Sequence, residues 1–215
     1  MARPKLLVFA SGTAHSGGLG FENLVYAMRR GALDADIIGV VSHHANGGVR
    51  HRADKLGIPF IHFRPPWSEV GYRVIAGESG ADYIALSGWL KQVRGLDPRT
   101  CINIHPGPLR TFGGSGMYGY HIHEAVMAAY RCGEVTHSAI CMHFVTPEYD
   151  RGPCFFRHRV KIRQNDTPET LGKRVKACEH RWQPEVTNLV VQGAIRWDGE
   201  NPNSLVCPQG YKVNR

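Results

Sequence analysis

Several features that define other protein classes are missing from this sequence of 215 residues. No apolar run approaches the ~18 residues that a membrane-spanning helix needs, so we expect no membrane association. The run Leu6–Ala10 is too short for the apolar part of a secretory signal. The six cysteines are scattered without a CxxC pair, which argues against a zinc framework and a disulfide-stapled scaffold. We therefore expect free thiols in a reducing cytoplasm.

Motifs for metal and nucleotide cofactors are missing as well. Twelve histidines are present, but there is no HExxH, and the two rings of His121-Ile122-His123 would not share a face of a helix. We expect no metal ion. The glycine-rich stretch near the N-terminus has no Gly-Lys-Ser/Thr of a P-loop, and Asn23 stands where a dinucleotide fingerprint needs its third glycine.

The sequence does have an excess of basic over acidic residues. The 26 Lys and Arg residues against 18 Asp and Glu give a formal charge of +8, which favours anionic ligands. Because the basic residues are spread along the chain, small anions are favoured over nucleic acid. The length and the absence of a linker or repeat predict one domain over residues 1–215, with a core of about 4–190 and a tail of about 198–215.

The first half alternates short apolar runs, which predict strands, with segments of helical periodicity. Repeated strand–helix units with buried strands indicate an α/β fold with a doubly wound, mostly parallel sheet. The predicted strands are Lys5–Ala10, Ala35–Val41, Pro59–Phe63, Ala81–Leu86 and Cys101–Ile104; the predicted helices are 21–31, His51–Leu56 and Trp67–Ala76.

The second half has a different pattern. A loop rich in Gly and Pro spans 106–119, and a helix is predicted over His121–Tyr130. Two strand-like segments, Ser138–Val145 and Cys154–Ile162, flank a turn and predict an antiparallel extension of the sheet. A capped helix starting at 165–169 is expected to reach about Val191.

The glycine-rich loop Ser11–Gly20 follows the first strand and leads into a helix. Exposed backbone N–H groups and the positive end of a helix favour an anion at this place in α/β sheets. A phosphate site is the preferred interpretation, and a plain strand–helix turn is the alternative.

The segment Asn103-Ile104-His105-Pro106 carries the strongest chemical signal. Alternate residues of a strand point to the same side, so Asn103 and His105 are expected to project together. An amide donor beside an imidazole can stabilise an oxyanion and carry a proton, although a purely structural Asn–His pair fits almost as well. Glu148 and Asp150 are the nearby turn acids that could orient the imidazole.

These segments together resemble a known family, the folate-dependent formyltransferases. The similarity rests on Phe9–Thr13 with its glycine loop, Leu86-Ser-Gly-Trp-Leu90, Asn103-Ile-His-Pro106 and His143–Pro153, in that order. It covers roughly residues 4–190 and implies a Rossmann-like formyltransferase fold. The implied reaction transfers a formyl group from 10-formyltetrahydrofolate to the amine of glycinamide ribonucleotide in purine biosynthesis. A sugar-nucleotide N-formyltransferase with the same donor is the alternative.

The resemblance also implies roles for individual residues. Asn103, His105 and Asp150 match the catalytic trio of the family. Gly18, Leu19 and Gly20 match the binder of the ribonucleotide phosphate, and Glu179 the acid that meets the ribose. The segments matched to the folate pterin site are Leu90, Lys91, Gln92 and Val93, with Asn103, and then Thr146, Pro147, Glu148, Tyr149 and Asp150.

The phosphate loop departs from the family pattern. It carries an insertion, 13–17, and Gly18-Leu19-Gly20 stands in place of a Gly-Ser/Thr-Asn triplet. The side chains available to replace the missing donors are those of Ser11, Thr13, His15 and Ser16. We expect small-molecule substrates, and not nucleic acid, as partners of this chain. The expected assembly is a monomer or a homodimer.

Overall fold

A computed structural model describes residues 2–214. Seven strands are present: β1 Lys5–Phe9, β2 Asp36–Ser42, β3 Phe60–His62, β4 Tyr83–Leu86, β5 Cys101–His105, β6 His137–Phe144 and β7 Cys154–Lys161. The helices are α1 Leu19–Arg29, α2 Gly48–Leu56, α3 Glu69–Ser79, α4 Leu109–Phe112, α5 Tyr120–Arg131 and α6 Pro168–Val191, with a short 3₁₀ turn at Pro202–Ser204.

The strands form one sheet in the order β3-β2-β1-β4-β5-β6-β7. The first five are parallel, and β6 and β7 are antiparallel to their neighbours. The predicted fold class, a mostly parallel doubly wound sheet with an antiparallel extension, is confirmed. The chain order reverses direction between β1 and β4, which is where ligands bind in open α/β sheets.

Several predicted boundaries were wrong. Helix α1 begins at Leu19 rather than Phe21, so Leu19 and Gly20 belong to its first turn and not to the loop. Helix α2 begins at Gly48, three residues before the predicted start. The segment 106–119, predicted as a loop, contains the short helix α4.

Helices cover both faces of the sheet. The larger core joins α1, α5 and α6 to one face through side chains such as Leu24, Val126 and Val186. The smaller core packs Tyr72 of α3 and Trp89 against the other face. The C-terminal tail, for which no periodicity was found, lies against the larger core and pairs Asn214 with Arg157 of β7. No helix within residues 2–214 is long and apolar enough to cross a membrane.

Candidate active site

A cavity of about 770 Å³ opens at the carboxyl ends of β1, β4 and β5. The three loops that follow these strands supply much of its wall, because parallel strands end at the same edge of the sheet. Every residue to which the family resemblance assigns a role lines this cavity: Gly18, Leu19, Gly20, Leu90, Lys91, Gln92, Val93, Asn103, His105, Thr146, Pro147, Glu148, Tyr149, Asp150 and Glu179.

Asn103 and His105 lie on one face of β5, as the strand alternation predicts. The intervening Ile104 packs into the larger core on the opposite face. Only 3% of the His105 surface is exposed, so its imidazole is held in a fixed orientation. The Nε2–H of His105 donates to the Phe112 carbonyl oxygen at 2.8 Å. Its other ring nitrogen, Nδ1, therefore faces Asp150 and lies 3.6 Å from Oδ2.

Asp150 lies in the turn between β6 and β7 and has a left-handed backbone with φ of 56°. Such a conformation is uncommon for a residue with a side chain, and it clusters at functional sites. The turn also passes close to β6, since a Cβ at Gly152 would lie 1.8 Å from the Phe144 carbonyl oxygen. This tight turn directs the Asp150 carboxylate towards the imidazoles, where Gly114 N–H donates to Oδ2 at 2.8 Å.

A second buried imidazole, His143, was not predicted as a site residue. Its Nδ1–H donates to the Phe144 carbonyl oxygen at 2.8 Å. Its Nε2 lies 3.1 Å from Asn103 Nδ2 and 3.3 Å from Asp150 Oδ1. In the neutral ring Nε2 accepts from the amide; in the charged ring it donates to the carboxylate. The sequence signal that could have found His143 is its place at the start of the segment His143–Pro153 used for the resemblance. The structure adds that His143 pairs with Asn103 across the antiparallel strands.

The charges of these groups depend on one another. Burial lowers the pKa of His105, with His143 acting in the same direction and Asp150 opposing it. Burial also opposes ionisation of Asp150, but the His143 hydrogen bond, the charge of His105 and the Gly114 N–H together lower its pKa. The arrangement is a buried carboxylate between two imidazoles, with an amide beside one of them.

The glycine-rich loop forms another part of the wall. Thr13 and Ser16 close a local turn, with Ser16 N–H donating to Thr13 Oγ1 at 2.9 Å. The buried Ser11 hydroxyl accepts from Leu90 N–H at 2.8 Å. Of the four candidate side-chain donors, only Thr13 lines the cavity. The N-terminus of α1 has Gly18 as its cap without a side-chain hydrogen bond, so backbone N–H groups face an incoming anion.

Helix α6 supplies the wall next to this loop. Lys176, Glu179, His180 and Gln183 are three or four residues apart and line the cavity. Burial raises the pKa of Glu179 to about 8, with the Lys176 ammonium opposing the shift. Lys176 and His180 were not predicted from the sequence.

The two segments matched to the folate site contact each other. Gln92 Nε2 donates to the Pro147 carbonyl oxygen at 3.0 Å. The Lys91 ammonium lies 4.1 Å from the centre of the Trp67 ring, and Val93 is buried in the smaller core. Within residues 2–214, no group of three or more His, Cys, Asp or Glu side chains is arranged to hold a metal ion.

The fold and the cavity define an α/β enzyme whose site combines the N-terminus of a helix with a buried amide–imidazole–carboxylate cluster. Comparison with known proteins gives the particular family. The model of the formyl transferase family matches residues 4–187, and the chain belongs to this family.

Named relatives share most of their length with this chain. It is 32% identical over 206 residues to chloroplastic phosphoribosylglycinamide formyltransferase of Arabidopsis thaliana, covering 91% of this chain and 68% of the relative. It is 30% identical over 192 residues to the Bacillus subtilis phosphoribosylglycinamide formyltransferase, and the match covers 85% of this chain and 92% of the relative. The crystal structure of glycinamide ribonucleotide transformylase 1 from Symbiobacterium toebii superposes on this chain with a TM-score of 0.81 at 25% identity. The superposition covers 96% of this chain and 95% of that structure.

Proposed function

We propose that this chain transfers the formyl group of 10-formyltetrahydrofolate to the primary amine of glycinamide ribonucleotide, as a phosphoribosylglycinamide formyltransferase. The observation that carries the proposal is the continuity of one cavity. It joins the N-terminus of α1 to the cluster of Asn103, His105, His143 and Asp150. A substrate whose phosphate binds at one place and whose amine reacts at the other fits this layout. The names of the relatives support the same substrate.

The reaction proposed here is direct. The amine nitrogen attacks the formyl carbon, and the carbonyl electron pair moves onto oxygen to give a tetrahedral oxyanion. Asn103 has two amide hydrogens; while one contacts His143, the other is available to donate to the oxyanion. One such donor contributes about 10²–10³ in rate. Collapse of the intermediate breaks the bond to the folate nitrogen and leaves the formyl group on the amine.

Proton movement is assigned to His105 and Asp150. The attacking amine must lose a proton, and the leaving folate nitrogen must gain one. His105 Nδ1 passes its proton to the leaving folate nitrogen, since Nε2–H is already engaged by Phe112. Asp150 helps to take the proton off the attacking amine through water, and that proton replaces the one that His105 has given up. A charged His105 stabilises the oxyanion electrostatically and is itself stabilised by Asp150 at 3.6 Å. No covalent intermediate with the protein is required.

The remaining wall is assigned to substrate binding. Gly18, Leu19 and Gly20 bind the ribonucleotide phosphate through backbone N–H groups, and Glu179 meets the ribose hydroxyls. Leu90–Val93 and Thr146–Asp150 hold the pterin. Both substrates are small anions, which suits the net charge of +8. We place the enzyme in the cytoplasm and expect it to act without nucleic acid. A single domain, as a monomer or homodimer, stays a prediction.

The direct test follows the loss of 10-formyltetrahydrofolate by absorbance, with glycinamide ribonucleotide present or withheld. The proposal expects turnover only when the ribonucleotide is present. Consumption of the folate without an acceptor would identify a hydrolase. Activity with an amino-sugar nucleotide in place of glycinamide ribonucleotide would overturn the acceptor and keep the reaction type.

A further inference from the structure

Two cysteines lie beside the candidate catalytic groups and have no part in the proposed mechanism. In the register of the sheet, Cys141 of β6 is directly opposite His105. Cys154, the first residue of β7, is directly opposite His143. Cys141 and His143 are two residues apart on the same strand and therefore share a face. The two thiols are thus part of the same layer of side chains as the two imidazoles.

The thiols also contact each other. Cys141 and Cys154 pack in one small cluster with Leu109 and Ala139. The Cys154 sulfur also lies 3.3 Å from the Phe156 carbonyl oxygen, which holds it in place. An irregularity of the pairing between Met142 and His143 lies between the two cysteines. Bulges bend and twist the strand, so this part of the ladder can adjust.

The two thiols differ in exposure and acidity. Cys141 is buried, whereas Cys154 is partly exposed. Their interaction lowers the pKa of Cys141 and raises that of Cys154, so Cys141 is the group that can take the proton of Cys154. An accessible sulfur beside a sulfur that can act first as its base and then as its resolving thiol suits oxidation to a disulfide.

We propose that Cys141 and Cys154 are a modification site, which hydrogen peroxide converts into a disulfide, and that this disulfide slows formyl transfer. The Cys154 thiol passes its proton to the Cys141 thiolate, and the Cys154 sulfur attacks one peroxide oxygen; the O–O bond breaks to give a sulfenic acid and hydroxide, which takes the proton back from Cys141 and becomes water. The Cys141 thiolate next attacks the sulfenic sulfur, and the S–O bond breaks to release hydroxide. In total, one thiol, one thiolate and one peroxide give one disulfide, one water and one hydroxide, and the two sulfurs lose two electrons.

The effect on activity follows from the register. Diagonal positions across an antiparallel pair lie ~7–8 Å apart, whereas disulfide-bonded Cα atoms are within about 7 Å. Bond formation therefore draws β6 and β7 together next to His143. A displacement of about 1 Å at a catalytic group costs roughly 10²-fold in rate, so we expect at least a tenfold loss of turnover. This part of the inference rests on the proposed function, whereas the disulfide itself does not.

The first test is chemical. The full chain is treated with hydrogen peroxide, remaining thiols are alkylated, and the peptides are mapped by mass spectrometry. We expect a linked Cys141–Cys154 peptide that dithiothreitol reverses. The exposed Cys132 is the matched control, so Cys132→Ala is expected to form the same link. Recovery of Cys141 and Cys154 as free thiols after Cys132 has been oxidised would overturn the proposal.

The second test concerns activity. Cys154→Ala, or Cys154→Ser should the first variant fold poorly, is expected to keep its basal turnover and to resist peroxide. Cys132→Ala is expected to stay sensitive. Equal inhibition of the Cys154 variants would show that the link does not control turnover. A link formed in a protein without formyltransferase activity would reject the proposed function and leave the modification site standing.

Discussion

Two carboxyl groups in the wall of one cavity, Asp150 and Glu179, have opposite electrostatic surroundings. Asp150 accepts from the Gly114 N–H and lies near His105 and near His143, which donates to the carboxylate when its ring is charged; together these groups lower the pKa of Asp150. Burial raises the pKa of Glu179 to about 8, with the Lys176 ammonium opposing the shift. Burial acts in the same direction on both groups. What differs is the number of donors around each carboxylate.

The difference gives the two parts of the cavity different charges near neutral pH. Around Asp150 a negative charge is maintained and can stabilise a proton on either imidazole. Near α6 the raised pKa of Glu179 favours the neutral carboxyl at neutral pH, which lessens the repulsion of an anion in the cavity. One cavity can therefore admit an anion and still hold a base. Substitutions that change one carboxyl at a time test this separation.

The largest effect is expected for Asp150→Asn. The amide keeps the shape and still accepts from the Gly114 N–H, but it cannot stabilise a charged imidazole. General acid–base groups contribute about 10²–10⁴ in rate, and we expect a loss of turnover within this range. Steady-state rates with both substrates measure it. Asp54→Asn, at an exposed position of α2, is the control, and an equal loss in both variants would contradict a role for the Asp150 charge.

A smaller effect is expected for His143→Gln. Because the His143 hydrogen bond lowers the pKa of Asp150, its loss raises that pKa. The acid limb of the kcat/KM profile should therefore move to higher pH, with a loss of turnover of about tenfold at the optimum. A pH series from about 3 to 8 tests this prediction. An unchanged acid limb would show that His143 does not set the ionisation of Asp150; the exposed His51→Gln should leave the profile as it is.

His143 also shows where prediction from the sequence ends. The alternation of β5 was enough to predict that Asn103 and His105 share a face, since it depends on one strand alone. The position of His143 depends on how β6 pairs with β5, across about forty residues. The sequence carries no local signal for that register, because β6 is buried on both faces and lacks a polar side to identify. The ends of β6 and β7 were predicted as closely as those of the parallel strands, so it is the register with β5, and not the strands themselves, that the sequence does not predict.

The glycine-rich loop gives the same lesson on a smaller scale. Its position after β1 predicted a turn beside a helix end, and the structure has that turn. Which hydroxyls remain available was not predictable, because Thr13 binds within the loop and Ser11 binds the backbone of Leu90. Local hydrogen bonds of Ser and Thr compete with ligand binding. The roles of all these site residues stay predictions until the variants are measured.

At the other carboxyl, Glu179→Gln should affect binding more than turnover. A hydrogen bond to a charged group contributes about 1.5–3 kcal/mol, so we expect KM for the ribonucleotide to rise about tenfold near pH 9, where Glu179 is ionised. Near pH 6.5 the neutral carboxyl resembles the amide, and the difference should fall below about threefold. A KM ratio that is independent of pH would argue that Glu179 binds the ribose in its neutral form.

The smallest effect concerns stability. The pKa of Glu179 is about 8 in the folded chain, well above the ordinary value near 4.3 that it has when unfolded. Between these values the unfolded state binds fewer protons, so the folded state loses stability as pH rises, and the loss is complete above about pH 8. Glu179→Gln removes this penalty. The free energy of unfolding of the variant should match that of the parent at about pH 4 and exceed it by on the order of 1 kcal/mol at about pH 9, after allowance for solvent in the cavity.

Urea unfolding at both pH values measures this difference. The exposed Glu134→Gln should show no such trend, and a variant that is less stable than the parent at high pH would show that Glu179 is ionised and paired in the folded chain.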